Sequence, residues 1–202
     1  MEALEFFAQR YHDVHTEFDV LLDGLTDAQV RQRPHGANSV AWLVWHVARC
    51  EDVGVNRFVV DRSQVVDDEG WLSRLNFPRR DVGAEMTEVE VSDLNKRIDA
   101  AALREYWQAV YRRTLGVVGG LQPTDLDAPV SPGHVHHVAV EDGAIGPNAG
   151  WLEPYWAAKP NRGWFLADLA LTHSWGHLYE ALVTRGLLET SACQDPALTR
   201  EA

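Results

Sequence analysis

Apolar residues recur at spacings of three and four along four long stretches of this chain, and each stretch reads as an amphipathic helix. The first runs from about Ala3 to Asp23, where Leu4, Phe7, Tyr11, Val14, Phe18 and Leu21 form a stripe that continues to Leu25. The second follows the Pro34-His35-Gly36 turn, takes Asn38 or Ser39 as its N-cap and extends to about Val60. Its stripe of Val40, Leu43, Val44, Val47 and Phe58 is interrupted by Glu51. In the third, Leu103, Trp107, Val110, Thr114 and Val117 repeat between an Asp99 cap and a Gly119-Gly120 stop. The fourth spans Trp164 to Arg185, with Gly186 as its stop, and aligns Leu166, Leu169, Ala170, His173, His177, Glu180, Thr184 and Leu187. A shorter helix is expected to start at Thr87, because Thr87-x-x-Glu90 has the form of a capping box. Long amphipathic helices in this number predict an all-α protein built as a four-helix bundle.

Two connections are too long for a plain bundle. The segments from about Ser63 to Ile98 and from about Pro123 to Gly163 far exceed the usual two to eight residues between bundle helices. They carry Trp71, Phe77, Trp151, Tyr155 and Trp156, a content too aromatic for disorder. The expectation is that both fold as caps near one end of the bundle. Residues 1–188 then form a single domain, and residues 189–202 a dispensable or disordered C-terminal tail.

The fourth helix carries the first chemical signal. His173 and His177 are four residues apart, so their imidazoles lie one above the other on one face. Two ring nitrogens on a core-facing stripe need partners, which a shared metal, Glu180 or a backbone carbonyl would supply. A third imidazole from a facing helix would complete a three-nitrogen site with open positions, the layout of a catalytic metal. The sequence lacks a zinc-protease glutamate: Ser174 and Gly176 occupy the positions it would need. His46, in line with Leu43, Cys50 and Val53 at the edge of the second stripe, reads by itself as a core-edge histidine bonded to a carbonyl. Cys50, one turn after His46, is placed to be a fourth ligand but reads first as a small buried hydrophobe. Glu180, three residues after His177, is placed to orient a ligand imidazole, and Glu51 is a candidate for the same role or for a charge at the pocket. His134, His136 and His137 cluster in the second long connection, as polar surface residues, as a second metal site or as general bases reaching the first.

Three motifs together carry a resemblance. They are Leu25-Thr-Asp-Ala-Gln-Val-Arg-Gln-Arg-Pro34, Asn38-Ser-Val-Ala-Trp-Leu-Val-Trp-His46-Val-Ala-Arg49, and the late His173-x-x-x-His177-x-x-Glu180. In this order, over about residues 3 to 188, the chain resembles the DinB/YfiT-like family of metalloenzymes. That resemblance implies a four-helix bundle holding a divalent metal through His46, His173 and His177. Relatives include mycothiol-dependent maleylpyruvate isomerase and bacillithiol and mycothiol S-transferases. The resemblance therefore implies a metal that activates a low-molecular-weight thiol, mycothiol or another, for transfer or isomerisation. Zinc is the first candidate metal, with nickel or iron as alternatives. A hydrolase that uses the metal to ionise water, and a non-catalytic metal- or small-molecule-binding module, stay open beside it.

Composition narrows the partners. A net charge of −12 argues against nucleic acid, whose binding needs concentrated positive charge. No apolar run approaches ~18 residues, so no membrane span is expected. The opening Met-Glu-Ala-Leu-Glu lacks the basic region of a signal peptide, and two cysteines, Cys50 and Cys193, do not make a disulfide framework. A cytoplasmic protein acting on a small molecule follows, with a homodimer left open.

Overall fold

In the computed structural model, residues 2–68 and 70–193 are described, with side chains up to residue 190. Their regular structure is helical throughout, and no described helix is long and apolar enough to cross a membrane. Four long helices make the bundle: α1 (Ala3–Asp23), α2 (Val40–Val53), α3 (Ala100–Val118) and α4 (His173–Cys193). Both α1 and α2 pack against α3 and α4. The caps expected from the sequence are in place. The Ser39 hydroxyl accepts from the Trp42 amide at 3.1 Å, the Asp99 carboxylate from the Ala102 amide at 2.8 Å, and Thr87 and Glu90 close a capping box on the helix Glu88–Arg97. Each such cap satisfies a backbone N–H that the first helical turn leaves without a partner.

The second helix is not amphipathic in place. All fourteen residues of α2 are buried, because the first long connection folds across the face the pattern left polar. Arg49 makes that closure possible. Its guanidinium is fully buried, pairs with Asp52 at 2.9 Å and donates to Gln64 Oε1 at 2.6 Å. Nε and Nη2 also donate to the Arg80 carbonyl, Nε at 3.0 Å. Asp52 in turn accepts from the Val65 and Val66 amides, Asn56 Nδ2 and the Tyr106 hydroxyl. Buried charges persist only when paired and hydrogen-bonded, and here both ends of the pair hold the same connection against the bundle.

Two further departures concern helix register. α2 continues into a π-helical segment, Gly54–Val59, and α4 is preceded by the helix Arg162–Ala167 and a π-helical segment, Asp168–Thr172. A π turn inserts a residue relative to the 3.6 period, so the stripe beyond it rotates. The buried face of α4 is Ser174, Leu178, Ala181, Thr184 and Leu188, while His173 and His177 are half-buried at its edge. The uninterrupted stripe read through His173, His177, Glu180 and Leu187 is therefore corrected. The expected stop at Gly186 is also corrected, since α4 runs through it to Cys193. That makes 189–193 helical, and 194–202 lie outside the described residues.

Candidate metal centre

His46 projects from the middle of α2, and His173 and His177 from the first turns of α4. The order of burial is the reverse of the one the pattern suggests: His46 is buried and the α4 pair is half-exposed. One ring nitrogen from each of the three lies within 4.8 Å of the others, and the Nε2 atoms of His46 and His173 are 3.2 Å apart. Two nitrogens bonded to one metal at about 2.0–2.1 Å in a tetrahedral arrangement sit roughly 3.3 Å apart, so that spacing suits a shared ion.

The outward nitrogens determine which atoms face inward. His46 Nδ1 donates to the Val82 carbonyl, leaving Nε2 with its lone pair. His177 Nδ1 donates to Glu180 Oε2 at 2.8 Å, which likewise frees its Nε2. Glu180 Oε1 accepts from Asn38 Nδ2 at 2.8 Å, and the Thr184 hydroxyl donates to the Asn38 carbonyl at 3.1 Å. Glu180 thus orients His177, as expected for a carboxylate behind a ligand imidazole. The Val82 carbonyl reaches α2 because Gly83 adopts φ +79°, and a Cβ there would meet Trp45 Cζ3 at 2.3 Å. The Trp42 ring stacks on His46 with centroids 4.6 Å apart and fixes the plane of the imidazole.

Electrostatics keep His46 and His173 in the ligating form. Burial, assisted by the neighbouring His177, pushes the His46 pKa down to about 4 against the opposing bond to Val82. Burial and the same crowding hold His173 well below its ordinary value. Glu180 is lowered chiefly by its hydrogen bond to His177. Neutral imidazoles present lone pairs, and two lone pairs 3.2 Å apart repel unless a proton or a cation lies between them. In either tautomer the buried Nδ1 of His173 has no partner among the described residues, so it is the 3.2 Å spacing of the Nε2 atoms that calls for a shared cation. The residues fit a divalent metal.

The remaining candidates fall elsewhere. Glu51 is fully buried on the opposite side of α2, where it accepts from the Tyr11 and Thr114 hydroxyls and from His15 Nε2 at 3.2 Å. That places it between α1 and α3, away from the histidine triad. His134 bonds to the Arg57 carbonyl at 2.7 Å, His136 to Glu153 at 2.7 Å and His137 to Glu141 at 2.7 Å. None of the three joins the triad. Cys50 is buried with Sγ 3.9 Å from His46 Nδ1, and burial raises its thiol well above the ordinary value.

A cavity of about 440 Å³ opens beside His46 and His173. Both long connections wall it, Val82 and Ala84 from the first and Trp151, Tyr155 and Trp156 from the second. The aromatic residues of the second connection line the site as expected, whereas Trp71 and Phe77 of the first are packed into the bundle core and only Val82 and Ala84 reach the cavity. Asp168 also lines the cavity, and the sequence reading missed it. It is the one charged residue in the run Trp164-Phe-Leu-Ala-Asp168-Leu-Ala-Leu171, a signal that was available. The Val82 carbonyl left no such signal, because a backbone group has no residue type.

Comparison with known proteins agrees with this architecture. A crystal structure of a conserved protein from Enterococcus faecalis aligns with a TM-score of 0.69 at 18% identity, over 93% of this chain and 97% of that one. At that identity the likeness shows the fold alone. No curated protein matches the chain. The family model of the DinB superfamily matches residues 10–181, a span that includes all three histidines, and the chain belongs to that superfamily.

Proposed function

We propose that this protein is a metal-dependent enzyme in which His46, His173 and His177 hold one divalent metal, zinc first among the candidates. The observation that carries the reading is the convergence of three imidazoles whose outward nitrogens are tied to Val82 and Glu180, beside a cavity larger than a water needs. When bound, the metal would lower the pKa of a thiol or a water at its open position, producing a nucleophile at neutral pH.

We read the nucleophile as a low-molecular-weight thiol, with mycothiol as first candidate and bacillithiol or glutathione as alternatives. The chain's own thiol in the cavity is a poor nucleophile, because burial raises the Cys50 pKa well above its ordinary value. The thiol must then enter from solvent, and the aromatic walls from Trp151, Tyr155 and Trp156 would exclude water around it. His46 and His177 would keep fixed orientations through the Val82 carbonyl and the Glu180–Asn38 pair while the thiol proton leaves. The protein's acidity argues for a small-molecule substrate rather than nucleic acid.

Cobalt-loaded protein titrated with each thiol tests this. The expected result is a new sulfur-to-cobalt band in the near ultraviolet and release of about one proton per bound thiol at neutral pH. No spectral change with any thiol, together with hydrolysis of an ester panel, would overturn the thiol reading in favour of a hydrolase. Tight metal binding with neither response would overturn catalysis and leave a binding module.

A further inference from the structure

Asp168 places a half-buried carboxylate at the cavity. It begins the π-helical segment Asp168–Thr172 and lines the cavity next to the histidines. Among the described residues its carboxylate has no hydrogen bond and no ion pair. Burial accordingly raises its pKa, with Lys159 acting weakly in the other direction. Lys159 makes no ion pair with it among the described residues; its Nζ lies over the Tyr155 ring, 3.4 Å from the centre, and 4.6 Å from the centre of Trp164. Among the described residues no lysine or arginine lines the cavity. The other walls are aliphatic and aromatic, with Trp42, Trp151, Tyr155 and Trp156 presenting rings.

We propose that Asp168 selects the substrate: this cavity takes a small apolar or aromatic molecule bearing an amine or other cationic group, bound as an ion pair to Asp168. Three features of the cavity favour that class over neutral or anionic ones. A half-buried carboxylate with no protein partner among apolar walls gains most from a cationic ligand. Aromatic rings attract cations over their faces. A volume of about 440 Å³ admits a ligand of one or two rings with a short tail. The same carboxylate repels a substrate carboxylate and leaves an alcohol with one ordinary hydrogen bond. The inference rests on the reading that this cavity is the substrate site, but not on the metal, because Asp168 belongs to no ligand set.

Intrinsic tryptophan fluorescence, with Trp42, Trp151 and Trp156 lining the cavity, reports binding without any assay of activity. Phenylpropylamine, phenylpropanol and phenylpropionate are titrated into wild-type protein and Asp168→Asn, each zinc-loaded and chelated. In chelated protein, where no metal competes for the amine or the carboxylate, the amine is expected to bind wild type roughly tenfold or more tighter than the alcohol, and the carboxylate weakest. Asp168→Asn should lose the preference for the amine while still binding the alcohol, an outcome that a merely structural role would not produce. Equal binding of amine and alcohol to wild type overturns the proposal, and this arm needs no variant to fold. Preference for the amine retained in Asp168→Asn overturns it too. Failure of the metal reading shows separately, as absent metal uptake with the amine preference intact in chelated protein.

Discussion

Replacing Arg49 by Met removes the guanidinium that joins α2 to the first long connection and leaves Asp52 ionised in a site with no solvent access. Breaking a buried pair by deleting one partner costs about 3–5 kcal/mol, because the remaining charge is uncompensated. Asp52 keeps its bonds from the Val65 and Val66 amides, Asn56 and Tyr106, which favours the lower part of that range. For a chain of this size each kcal/mol shifts the melting temperature by about 2–4 °C, so a fall of roughly 6–20 °C is expected. A second effect should reach the histidines. Arg49 holds the Arg80 carbonyl, two residues before the Val82 carbonyl that accepts from His46 Nδ1. Loosening that segment should weaken metal affinity by about 10–100-fold, as loss of a group behind a metal ligand does. Circular dichroism melts and competition against a chromophoric chelator measure the two effects. A double-mutant cycle with Asp52→Asn should return a coupling of about 1–3 kcal/mol. Arg49→Met melting within about 3 °C of wild type, with unchanged metal affinity, would refute the reasoning.

Alanine at His46, His173 or His177 should cut zinc uptake by orders of magnitude and Glu180→Gln by about 10–100-fold, whereas His134→Ala should leave it unchanged; equilibrium dialysis with elemental analysis decides. Metal-free protein should lose stability as the pH falls from the unfolded His46 value of 6.5 towards its folded value of about 4, because across that window the unfolded chain binds the proton that the folded chain refuses. His46 alone then contributes about 2 kcal/mol of destabilisation between pH 7 and pH 5, read from urea midpoints, and a flat profile would contradict it. Chelation should leave helical circular dichroism largely unchanged at room temperature, since the packing of α1 to α4 buries far more surface than three ligands contribute. Complete unfolding on chelation would make the metal structural instead.

How much of this protein was legible in the chain follows from what is local. The spans of α1 and α3, the Ser39 and Asp99 caps and the Thr87–Glu90 box depend on residues three or four apart, so periodicity and cap chemistry locate them unaided. The spacing of His173 and His177 is local in the same sense. Their union with His46 became readable only through resemblance, because three motifs in order imply a bundle that brings α2 and α4 together. Tertiary structure decided the rest. The π turn at Asp168–Thr172 rotated the α4 stripe, an event that a fixed 3.6 period cannot anticipate. Glu51 broke the pattern of α2 for a reason unrelated to the histidines: α1 and α3 bring Tyr11, His15 and Thr114 to it across 36 to 63 residues of sequence. The Val82 carbonyl behind His46 and the unpaired carboxylate of Asp168 depend on how the two long connections close over the bundle. Side-chain type sets what a residue can do, but only the packed neighbours settle which partner it meets and which it lacks.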